Sequence, residues 1–377
     1  MRPIRLDRRS LFRWGASGTA AAAGTAALSA PLFLPLGASS AGSGGHSTAD
    51  HRAQEAEPEH SGHNQSMTVG DIDIARQGWD PGDVLTDFDY GEITETRPDG
   101  SVVREWDINA FDKEIEIAPG IFFPAWTYNG RVPGPTLRAN EGDLLRIHFT
   151  NGSSHPHTMH FHGIHSSFHD GVTGIGRGEI EIGGKHTYEF TAKPFGLHLY
   201  HCHALPLKRH IHKGLYGTFI VNPSPERGDA AKKRHPDYPE SQEWQEFVMV
   251  MNAFDTNFDG GNEVYAINTV AFHHMKHPIV IDKTRPVRIY LVNVVEFDLI
   301  NSFHLHANFF DYYDTGTNLE PNLRTVDTIS QVQAQRGILE FTFKDHENGL
   351  YMFHAHVSEF TELGWMAAFD VQDSPFT

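Results

Sequence analysis

Leu199-Tyr200-His201-Cys202-His203 holds the only cysteine of the 377-residue chain and sets a histidine on each side of it. Extended backbone points successive side chains to opposite faces, so Cys202 faces one way while His201 and His203 face the other. One strand can then serve two metal centres, because a thiolate is a soft donor suited to copper and paired imidazoles suit copper, zinc or iron. A lone cysteine is by itself more often a small buried apolar residue than a ligand. Further His-x-His pairs shift that balance, among them His160-Phe161-His162, His304-Leu305-His306 and His354-Ala355-His356. Even among 26 histidines, four such pairs are not expected from unrelated placement. Each pair sets two imidazoles on one face.

Around these pairs the sequence repeats itself. Leu144-Leu145-Arg146-Ile147-His148-Phe149-Thr150-Asn151 alternates apolar and polar residues, the pattern of a half-buried strand. His160 and His162 follow, then the strand-like Tyr188-Glu189-Phe190-Thr191, Gly196 ahead of His201, and Gly217-Thr218-Phe219-Ile220-Val221. The second half runs in the same order through Val287 to Asn293, His304 and His306, Leu339 to Phe343, Gly349 ahead of His354, and Ala367 to Val371. A repeat of this length means two related domains and not a solenoid. With Gly 35, Pro 21 and many short strand-like runs, the expected fold is all-β, two Greek-key β-sandwich domains. The Pro-rich and charged stretch after Asn222 sets the boundary, giving domains over 76–225 and 240–377.

A net charge of -18 argues against nucleic acid and anionic membrane surfaces as partners. Near the start, Arg8-Arg9-Ser10-Leu11-Phe12 precedes a weakly apolar stretch rich in Ala and Gly, which looks like a bacterial twin-arginine export signal over 1–41. Gly, Ser, Thr and Pro dilute that stretch, so it is read as a signal and not a membrane anchor. Export places the protein in the periplasm, on the cell surface or in the medium. Residues 42–75, polar and carrying His46, His51, His60 and His63, are expected to form a disordered linker. One cysteine allows no intrachain disulfide.

Tyr128-Asn129-Gly130-Arg131-Val132-Pro133-Gly134-Pro135-Thr136, with Glu141-Gly142-Asp143 and the His-x-His series, resembles the cupredoxin domains of multicopper oxidases from about Trp106 to Val371. More narrowly, the chain is similar to two-domain laccases whose blue, type 1 copper lies in the first domain. The resemblance implies four coppers per chain. His157, Cys202 and His210 would bind the type 1 ion, with Leu215 at the weak axial position that many relatives fill with methionine. His210 and His212 are both available after the cysteine, and it is family spacing that selects His210. His212 and Lys208 fit either the surface where electrons arrive or ordinary loop polarity. By the same resemblance, His160 and His304 would hold a type 2 copper, and His162, His201, His203, His306, His354 and His356 a type 3 pair. Asp170 resembles the acid that relays protons to such a cluster. In the second half, Ala355 stands where Cys202 does and Asn301 where His157 does, so no second type 1 site is expected.

Each domain supplies half of the cluster ligands, and in two-domain relatives the first domain of one subunit faces the second domain of its neighbour. A homotrimer is therefore expected, since a head-to-tail contact closes into a ring. The activity implied is oxidation of phenols or aromatic amines coupled to reduction of dioxygen to water. Two rival readings remain. Copper nitrite reductase shares the two-domain architecture, but it needs an aspartate where this chain has His160 and a residue other than histidine after Cys202. An exported copper-binding or storage protein would explain the histidine total but not the flanking of Cys202 by cluster histidines.

Overall fold

The computed structural model describes residues 67–224 and 243–373. The expected export signal, the linker histidines and the stretch between the halves lie outside the described residues.

Alternation dictates the strands. In Leu144–Asn151 every second residue is buried, with Leu145, Ile147 and Phe149 turned inward, because side chains alternate between the two faces of a strand. The first half contains β1 (Phe88–Asp89), β2 (Glu92–Thr96), β3 (Val102–Ala118), β4 (Ile121–Tyr128), β5 (Gly134–Asn140), β6 (Leu144–Asn151), β7 (His160–Phe161), β8 (Lys185–Thr191), β9 (Gly196–His201) and β10 (Tyr216–Asn222). One sheet has the order β1-β5-β10-β9-β7 and the other β2-β3-β6-β8, with β4 paired to β3.

The second half contains β11 (Gln245–Phe254), β12 (Val264–Ile267), β13 (Ile279–Asp282), β14 (Val287–Asn293), β15 (Ile300–Leu305), β16 (Phe310–Asp314), β17 (Leu323–Val326), β18 (Thr328–Val332), β19 (Arg336–Phe341), β20 (Gly349–His354) and β21 (Met366–Gln372). Its sheets run β12-β11-β14-β19-β16-β17 and β13-β21-β20-β15-β18. The order β5-β10-β9-β7 is thus repeated as β13-β21-β20-β15, with a parallel first pair in each. These are two cupredoxin-like sandwiches built on one plan.

The halves are fused through their interiors. One apolar cluster joins Ile115, Phe123, Val132 and Leu197 of the first to Phe254, Val292, Leu305 and Trp365 of the second. Arg138 crosses the boundary to Glu246, its two Nη atoms 3.0 and 3.1 Å from the carboxylate oxygens. A forked pair of this kind fixes orientation as well as charge.

The linker expectation needs correction at its far end. Met67 is fully buried in the shared core. Asp73 caps the short helix α1 (Ile74–Gln77), and its amide donates to Glu116 at 2.9 Å. Gln77 exchanges two hydrogen bonds with the Glu116 backbone. On the other side Lys276 donates to the Gly70 carbonyl at 2.6 Å, and His277 lies 2.7 Å from Asp71. Residues 67–77 therefore strap the two halves together. Polar composition concealed this because one apolar anchor and a few well-placed carboxylates suffice.

Candidate metal centre

β9 pairs with β10 on one side and β7 on the other, which sets His201 beside both Tyr216 and His160. Regular pairing stops at His201, yet the Cys202 amide still donates to Leu215 at 2.9 Å. That holds the thiol facing inward. Cys202 Sγ lies 3.8 Å from His157 Nδ1 and 3.2 Å from His210 Nδ1, and the two nitrogens are 3.1 Å apart. A triangle of this size holds an ion about 2 Å from each corner, the ordinary reach of a metal–nitrogen bond.

The surrounding bonds prepare this trio. His157 Nε2 lies 2.8 Å from Ser153 Oγ, which in turn donates to Asp112. That arrangement puts the imidazole proton on Nε2 and leaves Nδ1 free to face the sulfur. The Thr158 amide donates to Sγ at 3.3 Å. Trp126 covers the trio, its ring centre 5.1 Å from that of His157 and 4.9 Å from that of His210. Burial pushes the Cys202 thiol up to about 11, and burial first, then mutual repulsion, brings His157 down to about 3. His210 falls to about 4, chiefly by burial. Both imidazoles are therefore neutral near pH 7, as ligands must be.

His210 sits on a helix and not in the expected loop: Leu207–His212 forms α2. The helix turns His212 away from the sulfur. Its Nε2 accepts from the Asp255 amide at 3.1 Å, and its ring packs 5.3 Å from Phe123. Leu215 is fully buried in the apolar cluster that also contains Cys202.

On the opposite face of the cysteine strand, His160, His162 and His201 gather their ring nitrogens. His162 and His201 bring their Nε2 atoms to 3.2 Å. His160 Nδ1 donates to the Asp170 carbonyl at 2.7 Å, and His201 Nδ1 to the Cys202 carbonyl at 2.9 Å. In both rings Nε2 is left free. Burial brings His162 down to about 2 and His201 to about 4. His203 stands 5.3 Å from His160, ring to ring, and its buried Nδ1 has no partner. These four imidazoles line a cavity of ≈ 270 Å³ closed partly by Val294 and Gln333 of the second half.

The second half repeats the arrangement. His304, His306 and His354 gather, with the Nε2 atoms of the last two 2.9 Å apart. His304 Nδ1 donates to Asp327 and His354 Nδ1 to Ala355. His356 lies 5.1 Å from His304, ring to ring, matching His203. The two sets form separate groups among the described residues.

Asp170 approaches His160 Nδ1 at 3.2 Å and His165 Nε2 at 3.8 Å. Gly171 makes that approach feasible. It adopts φ +69, and a Cβ there would fall 2.1 Å from the Met159 carbonyl. Four contributors were not picked out from sequence: His165, Trp126, the Ser153–Asp112 relay, and Arg336, whose guanidinium lies 3.5 Å from His162 Nδ1. Thr158 was also missed, although it lies inside His157-Thr158-Met159-His160. Its Oγ accepts from the His203 amide at 2.8 Å, as Ser302 does from His356.

The matching position in the second half holds no donors. Asn301 and Ala355 replace His157 and Cys202. The backbone bonds that tie Leu215 to Cys202 and His210 tie Trp365 to Ala355 and Phe360. Trp365 is fully buried against Phe303 and Phe353 and fills the space.

Residues 112–226 and 238–375 both match the multicopper oxidase family. A solved multicopper oxidase is 54% identical to this chain, covering 80% of it and 100% of the other, with a TM-score of 0.73. The chain belongs to the multicopper oxidases. As an oxidoreductase of that family it uses copper, and its thiolate–imidazole trio and imidazole sets are donor groups suited to that metal. Two other relatives match over shorter stretches. The copper-containing nitrite reductase of Neisseria meningitidis serogroup A is 34% identical over 118 residues, 30% of this chain and 28% of that protein. Laccase-2 of Botryotinia fuckeliana is 35% identical over 164 residues, 42% of this chain and 27% of that protein. The multicopper oxidase chain thus spans less than a third of the length of these two relatives.

Proposed function

We propose that this multicopper oxidase is a two-domain laccase, oxidising phenolic or aromatic amine donors and reducing dioxygen to water. The observation that carries the reading is the doubled imidazole set. Each half offers four histidines, including both chain neighbours of Cys202, where a nitrite reductase requires an aspartate in place of His160. Copper bound by these residues supplies one-electron chemistry at the Cys202 trio and four-electron delivery to dioxygen at the imidazoles.

The chain's own residues do the rest. His157, Cys202 and His210 would hold the type 1 ion, with the buried Leu215 packed in the same cluster and offering no donor. His160 and His304 would hold the type 2 ion, and His162, His201, His203, His306, His354 and His356 the type 3 pair, four ions in all. Peptide bonds from Cys202 to His201 and His203 link the two kinds of site, and the hydrogen bond from His201 to the Cys202 carbonyl adds a second link. Asp170 Oδ1, beside His160, relays protons through water towards the imidazoles where oxygen reduction consumes them.

Because the two imidazole sets lie apart within one chain, a second copy must complete each cluster, and a head-to-tail homotrimer does so. Exposed apolar residues shortly after His162 in the chain, Ile164 and Phe168, suit burial in that contact. The twin arginines at Arg8 and Arg9 support export by the twin-arginine route.

The test is oxygen uptake by the copper-loaded enzyme with 2,6-dimethoxyphenol, set against nitrite consumption without oxygen. Oxygen uptake free of peroxide, with four coppers per chain, is expected. Nitrite turnover with about two coppers per chain would establish the reductase reading instead, and copper binding with neither activity would leave a storage protein.

A further inference from the structure

Lys213 is a physical anomaly. It is only 9% exposed, and its ammonium forms no hydrogen bond or ion pair among the described residues. Its Nζ instead lies 5.1 Å from the ring centre of Phe123, 5.2 Å from that of Phe258 and 5.8 Å from that of Trp126. Four residues earlier, and so on the same side of the chain's helical turn, the Arg209 guanidinium lies 5.0 Å over Trp126. Burial first, then repulsion from Arg209, lowers the Lys213 ammonium to about 8.

The carboxylates around this face are already engaged. Asp112 accepts from Ser153 and Ser154, and Glu179 from Thr173 and the Leu205 amide. Glu296 accepts from Gln333, and Asp255 from the amides of Asp259 and Gly260. Two cations therefore share one indole, with the charge of Asp112 acting on Lys213 but no ion pair formed to either. That indole is also the one packed on His157 and His210. The unpaired cations thus cover the outer side of the Cys202 trio, where Phe258, 55% exposed, offers a flat apolar surface beside them.

We infer that the electron donor taken at this face is an aromatic anion, its carboxylate or sulfonate held by Lys213 and Arg209 and its ring set against the exposed Phe258, outside the buried Trp126. The inference rests on the laccase reading. An anion between the two cations supplies the acceptor that Lys213 lacks and offsets their mutual repulsion. A neutral phenol does neither. Each phenolic donor gives up one electron and one proton, and four donors balance the reduction of one dioxygen to two waters. The anionic group stays unchanged and serves only to seat the ring.

Two measurements on the copper-loaded enzyme test this. The first compares kcat/KM for syringate and for 2,6-dimethoxyphenol in the native enzyme, Arg209→Gln and Lys213→Gln. At low salt each lost charge should lower the syringate-to-dimethoxyphenol ratio about threefold, through Coulomb attraction across a wet surface, and high salt should shrink the difference. Lys213→Arg should retain the native ratio. The second is calorimetric binding of benzenesulfonate, which is not oxidised, against benzyl alcohol. Benzenesulfonate should bind the native enzyme and lose affinity in both glutamine variants. A ratio unchanged in the variants, with no benzenesulfonate binding, would overturn the inference while leaving the laccase reading intact. If no donor is oxidised at all, the laccase reading fails, and benzenesulfonate binding alone then decides whether the anion site exists.

Discussion

Cys202 and Ala355 occupy one position in two copies of one fold, and the contrast shows how few atoms make the proposed type 1 site. The loss of thiolate at Ala355 and of imidazole at Asn301 was legible in the sequence, because the flanking histidines fix the register. The replacement of His210 by Phe360 and of Leu215 by Trp365 was not, since only backbone hydrogen bonds reveal those equivalences. Choosing between His210 and His212 likewise needed the helix, which points them apart. At this scale Cys202→Ser should abolish the intense visible band and donor oxidation while the imidazole sets keep their metal. Copper analysis should then show one ion fewer per chain. Uptake of metal should also depend on pH in a defined way. Burial raises the thiol to about 11 and lowers His157 and His210 to about 3 and 4. Between pH 5 and 9 the thiol therefore holds its proton and the imidazoles hold none, so copper displaces one proton on binding this trio. Apparent affinity should rise about tenfold per pH unit, read by chelator competition at pH 6, 7 and 8. A slope near zero would mean that the thiol is already ionised.

The elements were legible to unequal degrees. Strands such as β6 and β14 declare themselves by alternation, and the repeated order of motifs gave the duplication. The strap at 67–77 was hidden, because a four-residue helix has no apolar period to display and its grip comes from Met67 and from side-chain bonds to Glu116. α2 was hidden for the same reason. It spans six residues, and its two histidines read as loop polarity until their contacts are known. The strap's contribution can be isolated. Met67→Ala empties a fully buried site shared with Leu85, Ile115 and Phe123, and should cost about 3 kcal/mol by lost burial and residual cavity. Val69→Ala, two residues on at a position 73% exposed, should change stability by less than about 0.5 kcal/mol. Urea unfolding of both variants checks the contrast, with oxygen uptake in native buffer retained in each. Equal midpoints would return this segment to the linker.

At the scale of the whole molecule, the decisive fact is that one chain carries both imidazole sets but keeps them apart. The shared core and the Arg138–Glu246 pair fix the two halves against each other. Folding one set onto the other within a chain would therefore require breaking an interior and not moving a hinge. Sequence showed that each half holds four candidate ligands; only the fold shows that the two halves gather theirs in separate groups. The proposed ring makes a prediction that no monomer can imitate. His162→Ala disables the first-half set of its own chain, and His306→Ala disables the second-half set, so each variant alone should be inactive as an oxidase. Coexpressed, they form mixed trimers in which one contact joins an intact first half to an intact second half. With random mixing, about a quarter of the native clusters should be restored by head-to-tail closure, measured as oxygen uptake per chain. If each cluster were completed within one chain, every chain would carry one disabled set and coexpression would restore nothing.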